Sequence, residues 1–159
     1  MENQHKILID ELTKLLLGGN AHVSLQDALK GLKPELRGVK PDHLPYSAWQ
    51  LVEHIRIAQW DMLQFCRDAE HKSPKWPDDY WPKESAPEDD NAWNGSLSQI
   101  NSELDEFIEL MEHSDIYQKL QHGDGQTILL EALQIADHNA YHIGEIIAIR
   151  RFLGDWPSS

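Results

Sequence analysis

TILLEALQIADHNAYHIGEIIAIRRFLG, residues 127–154, reads as one long helix, and its apolar pattern decides the fold class. It follows the turn Gly123-Asp124-Gly125, Thr127 is placed to cap it, and Gly154 is a natural left-handed stop before Pro157. Leu129, Leu133, Ala136, Ala140, Ile143 and Ile147 form one stripe; Ile128, Ile135, Ile146 and Ile149 form a second, read as lying on the opposite side. A helix that is apolar on two sides must be covered on both. In a four-helix bundle only one side faces the core, so the second stripe calls for cover by a loop or a second subunit. A homodimer is the preferred reading.

Three more segments carry helical periodicity, and none shows the strict alternation of a half-buried strand. The first runs from Asn3 to Leu17, with Leu8, Leu12 and Leu15 on one face, and stops at Gly18-Gly19. The second starts at Ser47, where Ser47-x-x-Gln50 forms a capping box behind Pro45, and carries Leu51, Ile55, Ala58, Met62 and Phe65. The third begins near Asp89-Asp90, acidic residues that favour a helix N-terminus, and carries Trp93, Leu97, Ile100, Leu104, Phe107 and Met111. About thirty residues separate the first two helices, enough to cross a bundle and return, with a short helix expected at Ser24 to Leu32. The stretch His71 to Glu88 is rich in Pro and Trp and cannot be a continuous helix; Trp76, Tyr80 and Trp81 are expected to pack it onto the bundle. The expectation is all-α: a four-helix bundle with a long first crossover connection, one domain over residues 1–159.

Charge excludes some functions. Lys and Arg total 14 against 27 Asp and Glu, a net −13, and a surface so acidic repels nucleic acid and anionic lipid. With Cys66 the single cysteine there is no intramolecular disulfide, which suits a reducing cytoplasm. No signal-peptide pattern opens the chain, and no apolar run approaches membrane length.

The chemistry lies in Asp137-His138-Asn139-Ala140-Tyr141-His142. His138 and His142 sit one turn apart on the Ile135/Ile146/Ile149 face, so two imidazoles point into apolar surroundings. Each needs a hydrogen-bond partner or a metal, because an unsatisfied buried polar group costs about 1–3 kcal/mol. His54, on the flank of the second helix beside Leu51 and Ala58, can face the same interior. Bundles build metal sites from facing helices, and three neutral imidazoles leave a fourth position open, as in catalytic zinc sites. Nickel or ferrous iron accepts the same ligands. His5, His22, His43, His71, His113 and His122 fall in loops or at helix ends and read as solvated. Cys66 is about 18 Å along the helix from His54, too far to share a ligand set. Asp137 and Glu53, each adjacent to a histidine, are candidates to orient the imidazoles, but adjacent helix positions point elsewhere and solvated carboxylates are the preferred reading. Arg56, Arg150 and Arg151 are candidates to pair with a thiol's carboxylates, surface ion pairs being the preferred role for each.

On these residues the chain resembles the DinB-like family, in its YfiT-like group of metal-dependent proteins. The likeness spans nearly the whole chain and is most specific in HLPYSAWQLVEH (residues 43–54), Trp76 to Pro82, His122-Gly123-Asp124-Gly125 and residues 137–142. It implies a four-helix bundle with a long first crossover, commonly a homodimer, with His54, His138 and His142 as the ligands of a divalent zinc, nickel or iron ion. Some relatives are S-transferases or isomerases that use a low-molecular-weight thiol. Two functions follow. One is a metal-dependent enzyme, of the thiol S-transferase/isomerase or hydrolase type, acting on a small-molecule substrate. The other is a non-catalytic, metal-stabilised homodimer with an interaction or sequestration role.

Overall fold

The long helices that begin at Ala48, Asp90 and Ile128 each start where the sequence supplies a cap. In the computed structural model, which describes residues 2–157, Ser47 and Gln50 exchange hydrogen bonds in a complete capping box. Asp89 accepts from the Ala92 amide and Thr127 from the Leu130 amide. The helices are α1 (Glu2–Leu17), α2 (Leu25–Leu29), α3 (Ala48–Arg67), α4 (Asp90–His113) and α5 (Ile128–Phe152), with 3₁₀ turns at Pro34–Leu36 and Asp78–Tyr80. Residues 1, 158 and 159 of the span expected as one domain lie outside the described residues. Among those described there is no strand, only an isolated bridge between Lys119 and Thr127. The all-helical class is as expected. None of these helices is long and apolar enough to cross a membrane.

α3 packs on both α4 and α5, and α1 lies against α4 and α5. Two apolar clusters fill the interior. One joins Ile9, Leu12 and Leu16 of α1 to Leu63, Phe107, Met111 and Ile135; the other joins Ala28 and Leu32 to Leu51, Ile55, Trp93, Ile100 and Ile146. The buried row on α1 is thus Ile9, Leu12 and Leu16, while Leu15 is exposed; the expected Leu8/Leu12/Leu15 face is rotated away from the true one.

The two stripes of α5 are not opposed. At about 100° per residue their centres lie about 120° apart, so they flank one broad arc. Ile128, Ile135, Ile146 and Ile149 are all buried, and in the other stripe Ala136 and Ile143 are buried while Leu133 is exposed. The expected short helix is present as α2, capped by Ser24, and the crossover it belongs to covers part of this arc. Arg150 ties the crossover down: it is buried, donates to the Ala28 and Lys30 carbonyls, and pairs with Asp155. It therefore has neither of the roles expected for it, being neither a surface ion pair nor a substrate group.

Candidate metal centre

α3 and α5 run antiparallel. His54, near the start of α3, meets the middle of α5, while the carbonyl of Phe65, near the end of α3, accepts from His122 just before α5 begins. This alignment brings together the three histidines singled out in the sequence. Donor atoms of His54, His138 and His142 lie within 4.8 Å of one another, and the group could hold a metal ion. The Nε2 atoms of His54 and His138 are 3.0 Å apart. Two imidazole nitrogens on one tetrahedral zinc, each at about 2.0–2.1 Å, are about 3.3 Å apart, so the spacing is close to a shared ion's.

The outer nitrogen of each ring faces an acceptor. His54 Nδ1 donates to the Tyr80 carbonyl at 2.9 Å. His142 Nδ1 donates to the Glu145 carboxylate at 2.7 Å. For His138 the acceptor is set by a relay that begins at a backbone carbonyl. Ile100 O accepts from Gln59 Nε2, Gln59 Oε1 accepts from Asn139 Nδ2, and Asn139 Oδ1 is left facing His138 Nδ1 at 3.4 Å. The acceptors outside His54 and His142 put the proton on Nδ1 and the lone pair on Nε2; the longer contact to Asn139 favours the same tautomer in His138, whose Nε2 meets that of His54. Lone pairs at this separation repel unless a cation lies among them.

Burial reinforces the neutral state. Removal from water, then the neighbouring His142, pushes the pKa of His138 down to about 4. Removal from water, then His54, does the same for His142, also to about 4. His54 is lowered as well, chiefly by burial. Neutral imidazole is the form that ligates. Trp81 stacks flat on His54 at 3.8 Å between ring centres, and Tyr46 stacks on Trp81 at 3.9 Å, so the ring is clamped. The segment carrying Trp81 is laced to the first two turns of α3. Ser47 Oγ donates to the Ser85 carbonyl, Gln50 Nε2 to Pro82 and His54 to Tyr80. The 71–88 segment packs on the bundle through Tyr80 and Trp81, as expected, whereas Trp76 is largely exposed at the rim.

Beside the histidines lies a cavity of about 750 Å³ along the α3/α5 groove. Ala58, Met62 and Phe65 line its α3 side; Glu131, Gln134 and His138 line its α5 side; Trp76, Tyr80 and Trp81 close over it. Asp61, Glu131, Asp137 and Glu145 all contribute to the lining, and no Lys or Arg does.

Several expectations about neighbours are corrected. Neither Glu53 nor Asp137 orients an imidazole. Glu53 is bound through both oxygens by Arg56, at 2.8 and 2.9 Å, on the side of α3 that faces α4, and Asp137 is exposed. Adjacent residues on a helix point about 100° apart, so the orienting acid is Glu145, at i+3 from His142, where the same face returns. His71 is not solvated: its side chain is 8% exposed and donates to Asp61, whose other oxygen accepts from Tyr80. His22, His43, His113 and His122 are exposed, as read; His5 is half-buried beside Tyr117. Cys66 sits in the core away from the imidazoles, its thiol pushed up to about 12 by burial and the charge of Glu131, and so is no nucleophile. Arg56, Arg150 and Arg151 are absent from the cavity lining. Comparison with known protein families, with curated proteins and with solved structures gives no match to this chain.

Proposed function

We propose that this protein is a metal-dependent enzyme in which Nε2 of His54, His138 and His142 hold one divalent ion at the edge of the α3/α5 cavity. The single observation that carries the reading is the set of three outward acceptors, which aims three Nε2 lone pairs at one point. Structural packing needs no such convergence. Zinc, nickel and ferrous iron all suit three imidazoles. An ion held there supplies Lewis-acid chemistry, polarising a substrate oxygen or stabilising a thiolate. The chain's own contribution is to bind and orient. Glu145, Tyr80 and Asn139 fix the ring protons, the Tyr46–Trp81 stack fixes the His54 plane, and Trp76, Tyr80 and Trp81 limit water on one side. Of the two reaction types, hydrolysis of a small molecule is favoured over transfer of a low-molecular-weight thiol. Such thiols carry carboxylates, and the lining offers them four acids and no Lys or Arg.

Membership of the DinB-like family belongs to the same proposal. Four long helices, the crossover between α1 and α3, and the three histidines at the positions matched by the resemblance support it. So does a homodimer, for which Leu15, Leu130 and Leu133 supply exposed apolar side chains.

Metal analysis of the purified protein is the test. Stoichiometric zinc, nickel or iron is expected in the unmodified chain and loss of most of it in His54→Ala, His138→Ala and His142→Ala, because two imidazoles chelate weakly. Variants that keep full metal overturn the site. A panel of ester, amide and thiol-transfer substrates then assigns the reaction, each hit being lost on chelation and restored by metal.

A further inference from the structure

The end of the cavity away from the histidines is built differently. Glu131 lies seven residues before His138 on the same side of α5, about 10 Å along the helix axis, and lines the cavity. It is 5% exposed, and no side chain among the described residues donates a hydrogen bond to its carboxyl. The nearby acid is already engaged: Asp61 takes His71 on one oxygen and the Tyr80 hydroxyl on the other. Gln126, in the same lining, has a buried Oε1 that also lacks a donor. The Glu131 carboxyl thus faces, without a donor, a space walled by Met62, Phe65 and Trp76, while Gln126 Oε1 packs behind it against Gly123 and Phe65.

A buried carboxyl without a partner is costly, and its charge is returned to it by a bound cation. Burial, together with the charge of Asp61, pushes its pKa up to about 7, so an arriving positive charge finds a carboxyl that ionises readily. Aromatic faces add favourable contact for a cation. An anion meets the opposite: four acids and no Lys or Arg.

We infer that this end of the cavity recognises the ammonium group of a small, largely apolar amine, held by the Glu131 carboxylate. The inference deepens the proposed function and rests on its reading of the cavity as the substrate site. It makes Glu131 the specificity-determining residue: the amine docks there and the rest of the molecule, about 10 Å long, extends to the imidazoles.

The test uses three probes of matched shape, 4-phenylbutylamine, 4-phenylbutan-1-ol and 5-phenylpentanoate. Binding is followed by calorimetry and by the fluorescence of the cavity tryptophans, with the protein zinc-loaded and metal-free. A charge-assisted hydrogen bond predicts the amine to bind at least about tenfold tighter than the alcohol, and the carboxylate to bind weakest. Glu131→Gln, nearly isosteric, should bring the amine to the level of the alcohol without changing alcohol affinity, zinc content or the helical circular dichroism. Asp137→Asn should leave the preference intact. Equal binding of amine and alcohol, no saturable amine binding, or an amine preference that survives Glu131→Gln overturns the inference. Amine selectivity in a protein that takes up none of zinc, nickel or ferrous iron when they are supplied overturns the metal reading alone, so the two failures are distinguishable.

Discussion

The two sides of α3 both bury carboxylates, and they treat them in opposite ways. Toward α4, Glu53 is gripped by both arms of Arg56, with Gln99 and Glu103 alongside. Burial alone would raise its pKa, but the hydrogen bonds from Arg56 and Ser96 and the Arg56 charge hold it below the usual range. Toward α5, Glu131 is as deeply buried and has no partner, and its pKa rises. A buried acid with its cation in place is part of the scaffold. One that faces a cavity without a cation is waiting for something to bind. The same contrast separates Arg150, which reaches two carbonyls and Asp155, from a cavity lining that contains no Lys or Arg.

The largest effect belongs to the scaffold side. Arg56→Met should destabilise the fold by about 3 kcal/mol, because it strands Glu53 in the α3/α4 seam. Glu131→Gln should change stability by no more than about 1 kcal/mol. Urea titrations of both variants test this, and equal losses would break the distinction between a paired and an unpaired acid.

Next comes the orienting shell. Glu145→Ala should weaken metal binding by about tenfold to a hundredfold, the range typical of groups that position a ligating imidazole. Asp137→Ala, although adjacent to His138, should leave it within about twofold. Competition with a chromophoric chelator reads both constants. A larger effect at Asp137 than at Glu145 would reverse the assignment.

The smallest effects are in pH dependence, where the two groups act with opposite sign. His138 and His142 have folded pKa values of about 4 against an ordinary 6.5, so between those limits the unfolded chain binds more protons and stability rises with pH. Glu131 has a folded pKa of about 7 against 4.5, so its contribution to stability is lost as pH rises through that window. Glu131→Gln removes the opposing contribution, and the melting temperature of the metal-free variant should rise more steeply from about pH 5 to 7 than that of the unmodified chain. Melting curves with and without chelator should converge only as pH falls toward about 4. Convergence near pH 6, the value for unperturbed histidine, would show that the imidazoles are not buried.

The sequence was most legible where local rules act. The caps at Ser47, Asp89 and Thr127 and the short helix behind Ser24 follow from hydrogen bonds within four residues. His138 and His142 share a face by helix geometry alone, and His54 follows from its place beside a stripe. Effects of rotational phase were harder. Leu15 and Leu16 are both leucine, and only the neighbours of α1 decide which is buried. The α5 stripes read as opposed from their local spacing, and only the angle accumulated along the whole helix sets them about 120° apart. Long-range partners left little trace: nothing near Tyr80 says that its carbonyl meets His54, and nothing near Ala28 says that its carbonyl meets Arg150. Glu131 carried a signal, since it shares the i, i+7 row of His138, but a glutamate in a first helical turn ordinarily reads as a dipole-matching surface group.

The histidine cluster also dates itself in the life of the chain. His54 and His138 are 84 residues apart, and His142 lies farther still. At about 5–20 residues per second of synthesis, His54 leaves the ribosome roughly 4–17 seconds before its first α5 partner is made. Through that interval the nascent chain holds one imidazole of the three; residues 80 and 81 of its ring clamp follow within it, and there is nothing yet to share an ion with. The three-nitrogen site closes only when α5 docks on α3, so its presence certifies a chain in which this long-range packing is complete.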